Sequence, residues 1–134
     1  MPRILIIDDE EGIREILGVY SEMLGYEAEL VADLSQCNSF HADSNGCTEG
    51  TPCADILVID QNLPGTKGLD LIEQQLEMGC KVPPQRKAVI SASLSEEEFR
   101  QAKKLGCHVM QKPITFEIFE NWLNKINGKD EPVS

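Results

Sequence analysis

Two short runs of the 134-residue chain, Ile4-Leu5-Ile6-Ile7 and Ile56-Leu57-Val58-Ile59, are apolar at every position, rich in β-branched residues, and followed at once by aspartate. A strand with one wet face alternates apolar and polar side chains. A strand without alternation is buried on both faces, as in a parallel sheet covered by helices. Helical periodicities surround the two runs. Ile13, Ile16, Leu17, Tyr20 and Leu24 form one stripe, with Glu10 and Glu11 ahead of it and Gly25 as its stop. Leu69, Ile72 and Leu76 share a helical face after Gly68 that ends at Gly79. Ser95 and Glu98 have the spacing of a capping box ahead of Phe99, Ala102 and Leu105, with Gly106 as the stop. Thr115 caps a last helix bearing Phe116, Phe119, Leu123 and Ile126, with Trp122 beside that stripe. Glu27 to Val31 predicts the second strand, Ala88-Val89-Ile90 the fourth and Val109-Met110 the fifth.

Strands alternating with helices imply right-handed β-α-β crossovers and a doubly wound α/β fold. The expected architecture is flavodoxin-like: a five-stranded parallel sheet in the order 2-1-3-4-5 with helices on both faces. The crossover helix before the third strand fits only around Ser35 to Ala42; the stretch after it, at about 43–54, is a Cys-containing loop by composition. Residues 128–134 read as a polar tail, which leaves 1–127 for one domain, in line with about 150 residues per domain.

Charge narrows the function. Twenty-three acidic against twelve basic residues give a formal charge of −11, the wrong sign for a protein that grips a phosphate backbone or an anionic membrane. The apolar run at Ile4 to Ile7 is too short for a signal-peptide core or a membrane span, so the chain reads as cytoplasmic, with neither nucleic acid nor membrane as direct partner. Five cysteines are an odd number, and reduced thiols are the default. Cys37, His41, Cys47 and Cys53 lack the tight pairing of common zinc sites and read as part of a variable loop.

In doubly wound sheets ligands bind at the carboxyl ends of the strands. There the first strand presents Asp8 and Asp9, the third Asp60, the fourth Ser91 and the fifth Gln111-Lys112-Pro113. Two carboxylates about 4 Å apart repel by about 4 kcal/mol at an effective dielectric of 20, so three together need a proton or a hard cation such as Mg²⁺. A hydroxyl and an ammonium at the same rim suit a phosphoryl group.

The ordered motifs Ile-Ile-Asp8-Asp9-Glu10-Glu11, Leu-Val-Ile-Asp60-Gln-Asn-Leu-Pro64-Gly65, Val-Ile-Ser91-Ala92 and Gln-Lys112-Pro113 resemble the receiver domain of bacterial two-component response regulators. The resemblance implies Asp60 as phosphoacceptor, with Mg²⁺ held by Asp8, Asp9, Asp60 and the backbone carbonyl of Asn62. It implies Ser91 as the switch hydroxyl, Lys112 as the phosphoryl-pairing cation, and a cis bond between Lys112 and Pro113. It further implies a sensor histidine kinase or a histidine phosphotransfer protein as donor, and a downstream protein bound on the face of the fourth helix, fifth strand and fifth helix. Such a domain is a signalling phosphoacceptor that catalyses only its own phosphorylation and dephosphorylation. Side chains at Asn62 and Ser93 occupy positions that tune dephosphorylation in the family. Two departures stand out: Val109 replaces the usual aromatic residue three positions before the lysine, and the Cys-containing loop is long. A strand-end aspartate with Mg²⁺ also serves haloacid-dehalogenase-like phosphatases, but these expect Asp-x-Asp after the first strand, where this chain has Asp8-Asp9-Glu10. The domain as part of a longer regulator with an output domain is a further alternative.

Overall fold

A computed structural model describes residues 2–32, 54–77, 79 and 82–127. Five strands, β1 (Arg3–Ile7), β2 (Glu27–Val31), β3 (Ile56–Asp60), β4 (Lys87–Ser91) and β5 (His108–Gln111), pair in parallel in the order β2-β1-β3-β4-β5. This is the order expected from five strands alternating with helices. Ile4 to Ile7 lie in register beside Ile56 to Ile59, and their alternating side chains feed two separate cores. Leu5, Ile7, Leu57, Ile59 and Val89 face one side, with Leu69, Ile72 and Ala102 from the helices. Ile4, Ile6, Ile56, Val58 and Ile90 face the other, with Leu17, Phe119, Trp122 and Leu123. Each fully buried Leu or Ile contributes about 1.5–3 kcal/mol, so the centre of the sheet is anchored from both sides.

Among the described residues the covering helices are α1 (Glu11–Met23) and α4 (Phe116–Ile126) on one face, and α2 (Gly68–Glu77) and α3 (Glu96–Leu105) on the other. Their ends follow the sequence signals. The Ser95 hydroxyl accepts from the Glu98 N–H while the Glu98 carboxylate accepts from the Ser95 N–H, completing the capping box. Thr115 accepts from the Ile118 N–H, and Gly106 closes α3. One residue of the α1 stripe differs from expectation. Ile16 is 45% exposed, whereas Leu17 is buried and Ile13, Tyr20 and Leu24 are partly buried. At about 3.6 residues per turn Ile16 sits about 100° from Leu17, off the packed face.

Two features lie beyond the expected elements. Residues Asn62–Leu63 and Thr66–Lys67 form a small antiparallel ribbon around Pro64-Gly65. Gly65 has φ +77°, the left-handed conformation a type II turn requires after proline. The fourth strand also begins one residue early, with Lys87 fully buried and its Nζ donating to Gln75 Oε1 at 3.1 Å. Val109 is half-buried and packs against the α2–α3 core, the bland role open to a valine in an aromatic's position. Among the described residues no helix is long and apolar enough to cross a membrane. The expected helix at Ser35 to Ala42, the loop at 43–54 as far as residue 53, Cys80 and the tail at 128–134 lie outside the described residues.

Candidate functional site

The carboxyl ends of β1 and β3 are neighbours in the sheet, and this alone brings Asp8, Asp9 and Asp60 together. One carboxylate oxygen of each lies within 4.8 Å of the others. Asp8 has no exposed surface, Asp60 is 3% exposed and Asp9 is exposed. From the end of β5, Lys112 reaches across. Its Nζ lies 2.8 Å from Glu10 Oε1, 3.4 Å from Asp8 Oδ2 and 3.5 Å from Asp60 Oδ1. The Lys112–Pro113 bond is cis, as expected.

These contacts do not satisfy the acids fully. Asp8 Oδ1 accepts from the Glu10 N–H at 2.8 Å, but Oδ2, though ion-paired with Lys112, makes no hydrogen bond. Burial pushes the Asp8 carboxyl up to about 6, against the Glu10 hydrogen bond and with further help from the Asp60 charge. Burial also raises Asp60, and it outweighs the opposing Lys112 charge and the Asn62 N–H, which lies 3.3 Å from Oδ1. On Lys112 burial pulls downward. The hydrogen bond to Glu10 and the charges of Asp8 and Asp60 outweigh it and hold the ammonium above its usual range.

A cluster of hard oxygen donors, with one buried carboxylate oxygen lacking a hydrogen bond, fits a small divalent cation. Ser91 is at the same rim, 1% exposed, and its carbonyl accepts from the Lys112 N–H at 2.8 Å. Its hydroxyl is engaged within its own loop, donating to the Ser93 carbonyl at 2.8 Å and accepting from the Ser93 N–H at 3.2 Å. Asn62 opens the ribbon, with its side-chain oxygen accepting from Lys67 Nζ at 3.0 Å.

Three residues of the site had no assigned role from sequence. Glu10 takes the shortest contact to Lys112, and Arg14 donates to the Asp8 carbonyl at 2.8 Å. Gly68 packs so closely that a Cβ there would lie 2.6 Å from the Asp60 carbonyl oxygen. The acidic residues after β1 were visible as a run; the glycine carried no local signal.

Comparison with known proteins agrees with this geometry. The sequence profile described as response regulator receiver domain matches residues 4–123. The chain is 32% identical over 82 residues to the alkaline phosphatase synthesis transcriptional regulatory protein SphR of Synechococcus elongatus, covering 60% of this chain and 32% of that protein. It is 37% identical over 68 residues to the phosphate regulon transcriptional regulatory protein PhoB of Pseudomonas aeruginosa, covering 51% of this chain and 26% of that one. The match thus spans about a third or less of either relative's length. Among solved structures, the non-phosphorylated HemR receiver domain of Leptospira biflexa superposes with a TM-score of 0.75 at 24% identity, each chain covered in full, and shares the fold. These matches favour a phosphoacceptor signalling domain over a haloacid-dehalogenase-like phosphatase, in a family that binds Mg²⁺ at its acidic cluster and works with histidine kinases or phosphotransfer proteins. With the profile running over nearly all of the chain and the acids, hydroxyl and lysine gathered at one rim of a flavodoxin-like sheet, this chain belongs to the response regulator receiver domain family.

Proposed function

We propose that Asp60 is the phosphoacceptor, charged by a sensor histidine kinase or a histidine phosphotransfer protein. The observation that carries this reading is a carboxylate only 3% exposed, clustered with Asp8 and Asp9 and with Lys112 Nζ 3.5 Å away. An Asp60 oxygen attacks the phosphorus of a phosphohistidine. The new O–P bond forms as the P–N bond breaks, and the departing imidazole nitrogen keeps the electron pair and takes up a proton from solvent. Lys112, already beside the attacking carboxylate, offsets charge on the transferred oxygens. Asp8, Asp9, Asp60 and the backbone carbonyl of Asn62 would hold Mg²⁺, which supplies further neutralisation of the phosphoryl oxygens when bound.

The domain turns over only its own aspartyl phosphate, which hydrolyses as water reaches it past Asn62 and Ser93. The new dianion draws the Ser91 hydroxyl away from the Ser93 carbonyl, its partner at 2.8 Å. The loop into α3 then shifts and biases the α3–β5–α4 face that a downstream protein binds. We assign the domain to residues 1–127, with 128–134 as a tail, and the protein to the cytoplasm. The charge of −11 supports protein partners rather than direct contact with nucleic acid or membrane.

The test is intact mass after incubation with acetyl phosphate and Mg²⁺. One acid-labile phosphoryl adduct is expected on the parent and none on Asp60→Asn. An adduct of equal yield on Asp60→Asn would overturn the assignment.

A further inference from the structure

Helix α3 is weakly held by apolar packing. Ala102 is its only buried residue, Leu105 packs against the core only partly buried, and Phe99 is 50% exposed. Above the apolar contacts it shares with α2 runs a cleft of about 480 Å³ lined by polar and charged side chains, among them Gln61, Lys67, Asp70, Glu98, Gln101 and Lys104. Polar bonds therefore carry much of the positioning of this helix. Gln101 donates to Asp70 at 3.0 Å on the exposed side. The deeper bond comes from Gln61, the residue after Asp60, which is 1% exposed.

Gln61 is fixed by its backbone and at both ends of its amide. Its N–H donates to the Ile90 carbonyl of β4 and its carbonyl accepts from the Gly68 N–H, both at 2.9 Å. Its Oε1 accepts from the Leu69 N–H at 2.9 Å, satisfying a free donor at the start of α2. Its Nε2 donates to Glu98 Oε2 at 2.7 Å. The other Glu98 oxygen closes the capping box of α3 through the Ser95 N–H at 2.9 Å. A short bond to a carboxylate is of the stronger kind, and here it joins the residue that follows Asp60 to the cap of α3. The opposite lead into that cap runs from Ser91 through its bonds to Ser93.

We infer that the Gln61–Glu98 hydrogen bond is the tie that holds the N-terminal end of α3 in the arrangement where Ser91 engages Ser93, which makes Gln61 a positioning residue for the response to phosphorylation. The inference rests on Asp60 being the phosphoacceptor. When Ser91 is drawn toward a phosphoryl group, the segment leading to Ser95 moves and the tie opposes the movement. Without the tie, α3 loosens before any phosphoryl group arrives. An amide–carboxylate pair thereby couples the two helices flanking the cleft to Asp60, in a chain whose fifth strand offers Val109 where an aromatic would swing.

Hydrogen exchange at the Phe99, Arg100, Gln101 and Ala102 amides, read against β1 and β3 amides as internal reference, tests this. Gln61→Met should speed exchange at α3 by about 10-fold and the partly exposed Glu98→Ala, which also opens its half of the capping box, by more; both should leave the strand reference unmoved, and the pair should exchange no faster than Glu98→Ala alone. Ser95→Ala cuts the cap but keeps the tie, so its effect should multiply with that of Gln61→Met. Phosphorylation of the parent by acetyl phosphate should speed the same α3 amides, and phosphorylation of Gln61→Met should add little. Unchanged α3 exchange in both single variants, multiplying effects in the Gln61→Met/Glu98→Ala pair, or a full response by phosphorylated Gln61→Met would overturn the tie while the adduct on Asp60 stands. Absence of any adduct on the parent is read from its mass beforehand; it would overturn the phosphoacceptor reading and the tie's role in it.

Discussion

Asp8 shows what the site costs the fold. Its side chain has no exposed surface, and burial lifts its carboxyl from an ordinary 3.8 to about 6. Between those values the folded protein still holds a proton that the unfolded chain has released. Stability from this group is therefore greatest below the unfolded value and falls as pH rises through the window, levelling off above about 6 after a loss of about 3 kcal/mol. Asp8→Asn should match the parent in urea unfolding below about pH 4 and exceed it at about pH 7.5 by up to about 3 kcal/mol. Saturating Mg²⁺ should narrow that gap by stabilising the parent more than the variant, which lacks one of the carboxylates that would hold the ion. Equal pH slopes for the two proteins would contradict the assignment of the strain to this carboxylate. Asp8 and Asp60 were legible in the sequence because each directly follows an apolar run, and Asp9 because it follows Asp8, so the strand ends fix their positions. The roles of Glu10 and Gln61 were not. Glu10 acquires its part from Lys112, 102 positions away, and Gln61 from Glu98, 37 positions away, and no local pattern encodes those meetings.

At the scale of elements, apolar stripes and caps were read correctly, while features shorter than a period or made by close backbone approach were not. Ser95 with Glu98, Thr115 and Gly106 mark helix ends because a cap is a bond between near neighbours. The ribbon at Asn62–Leu63 and Thr66–Lys67 is too short to carry a periodicity, and only its Pro64-Gly65 turn was open to reading. Gly68 is the sharper case. It stands in sequence as the residue before a helical stripe, yet its lack of a side chain is what lets α2 start against the backbone of the Asp60 loop. A Cβ would meet the Asp60 carbonyl oxygen at 2.6 Å and the Gln61 Cα at 3.1 Å, and backbone cannot swing aside as a side chain does. Gly68→Ala should therefore lower stability by about 2 kcal/mol despite alanine's better helix propensity. It should also slow adduct formation from acetyl phosphate, because the displaced backbone includes that of Asp60, the proposed phosphoacceptor. A variant as stable as the parent with an unchanged phosphorylation rate would show that the loop yields freely.

Across the whole molecule, the absence of alternation in two four-residue runs marked the strands at the centre of the sheet. Residues flanked on both faces by separate cores must lie mid-sheet, and in the order β2-β1-β3-β4-β5 the two strands with such runs are adjacent. Their ends then bring acids together without any loop having to search for the arrangement. The same architecture leaves the strands anchored from both sides while α3 buries a single residue, so the proposed rearrangement at the rim would fall to loops and α3 rather than to the sheet. This view makes a demand on consecutive residues. Ile6 and Ile7 point to opposite faces, and neither has any exposed surface. Ile6→Ala and Ile7→Ala should each cost about 2–5 kcal/mol, since each opens a cavity in a different core. A sheet with one wet face would give one large loss and one near zero on stepping by a single residue. Urea unfolding of the two variants distinguishes these outcomes, and a loss below about 1 kcal/mol at either position would rule out a second core beneath it.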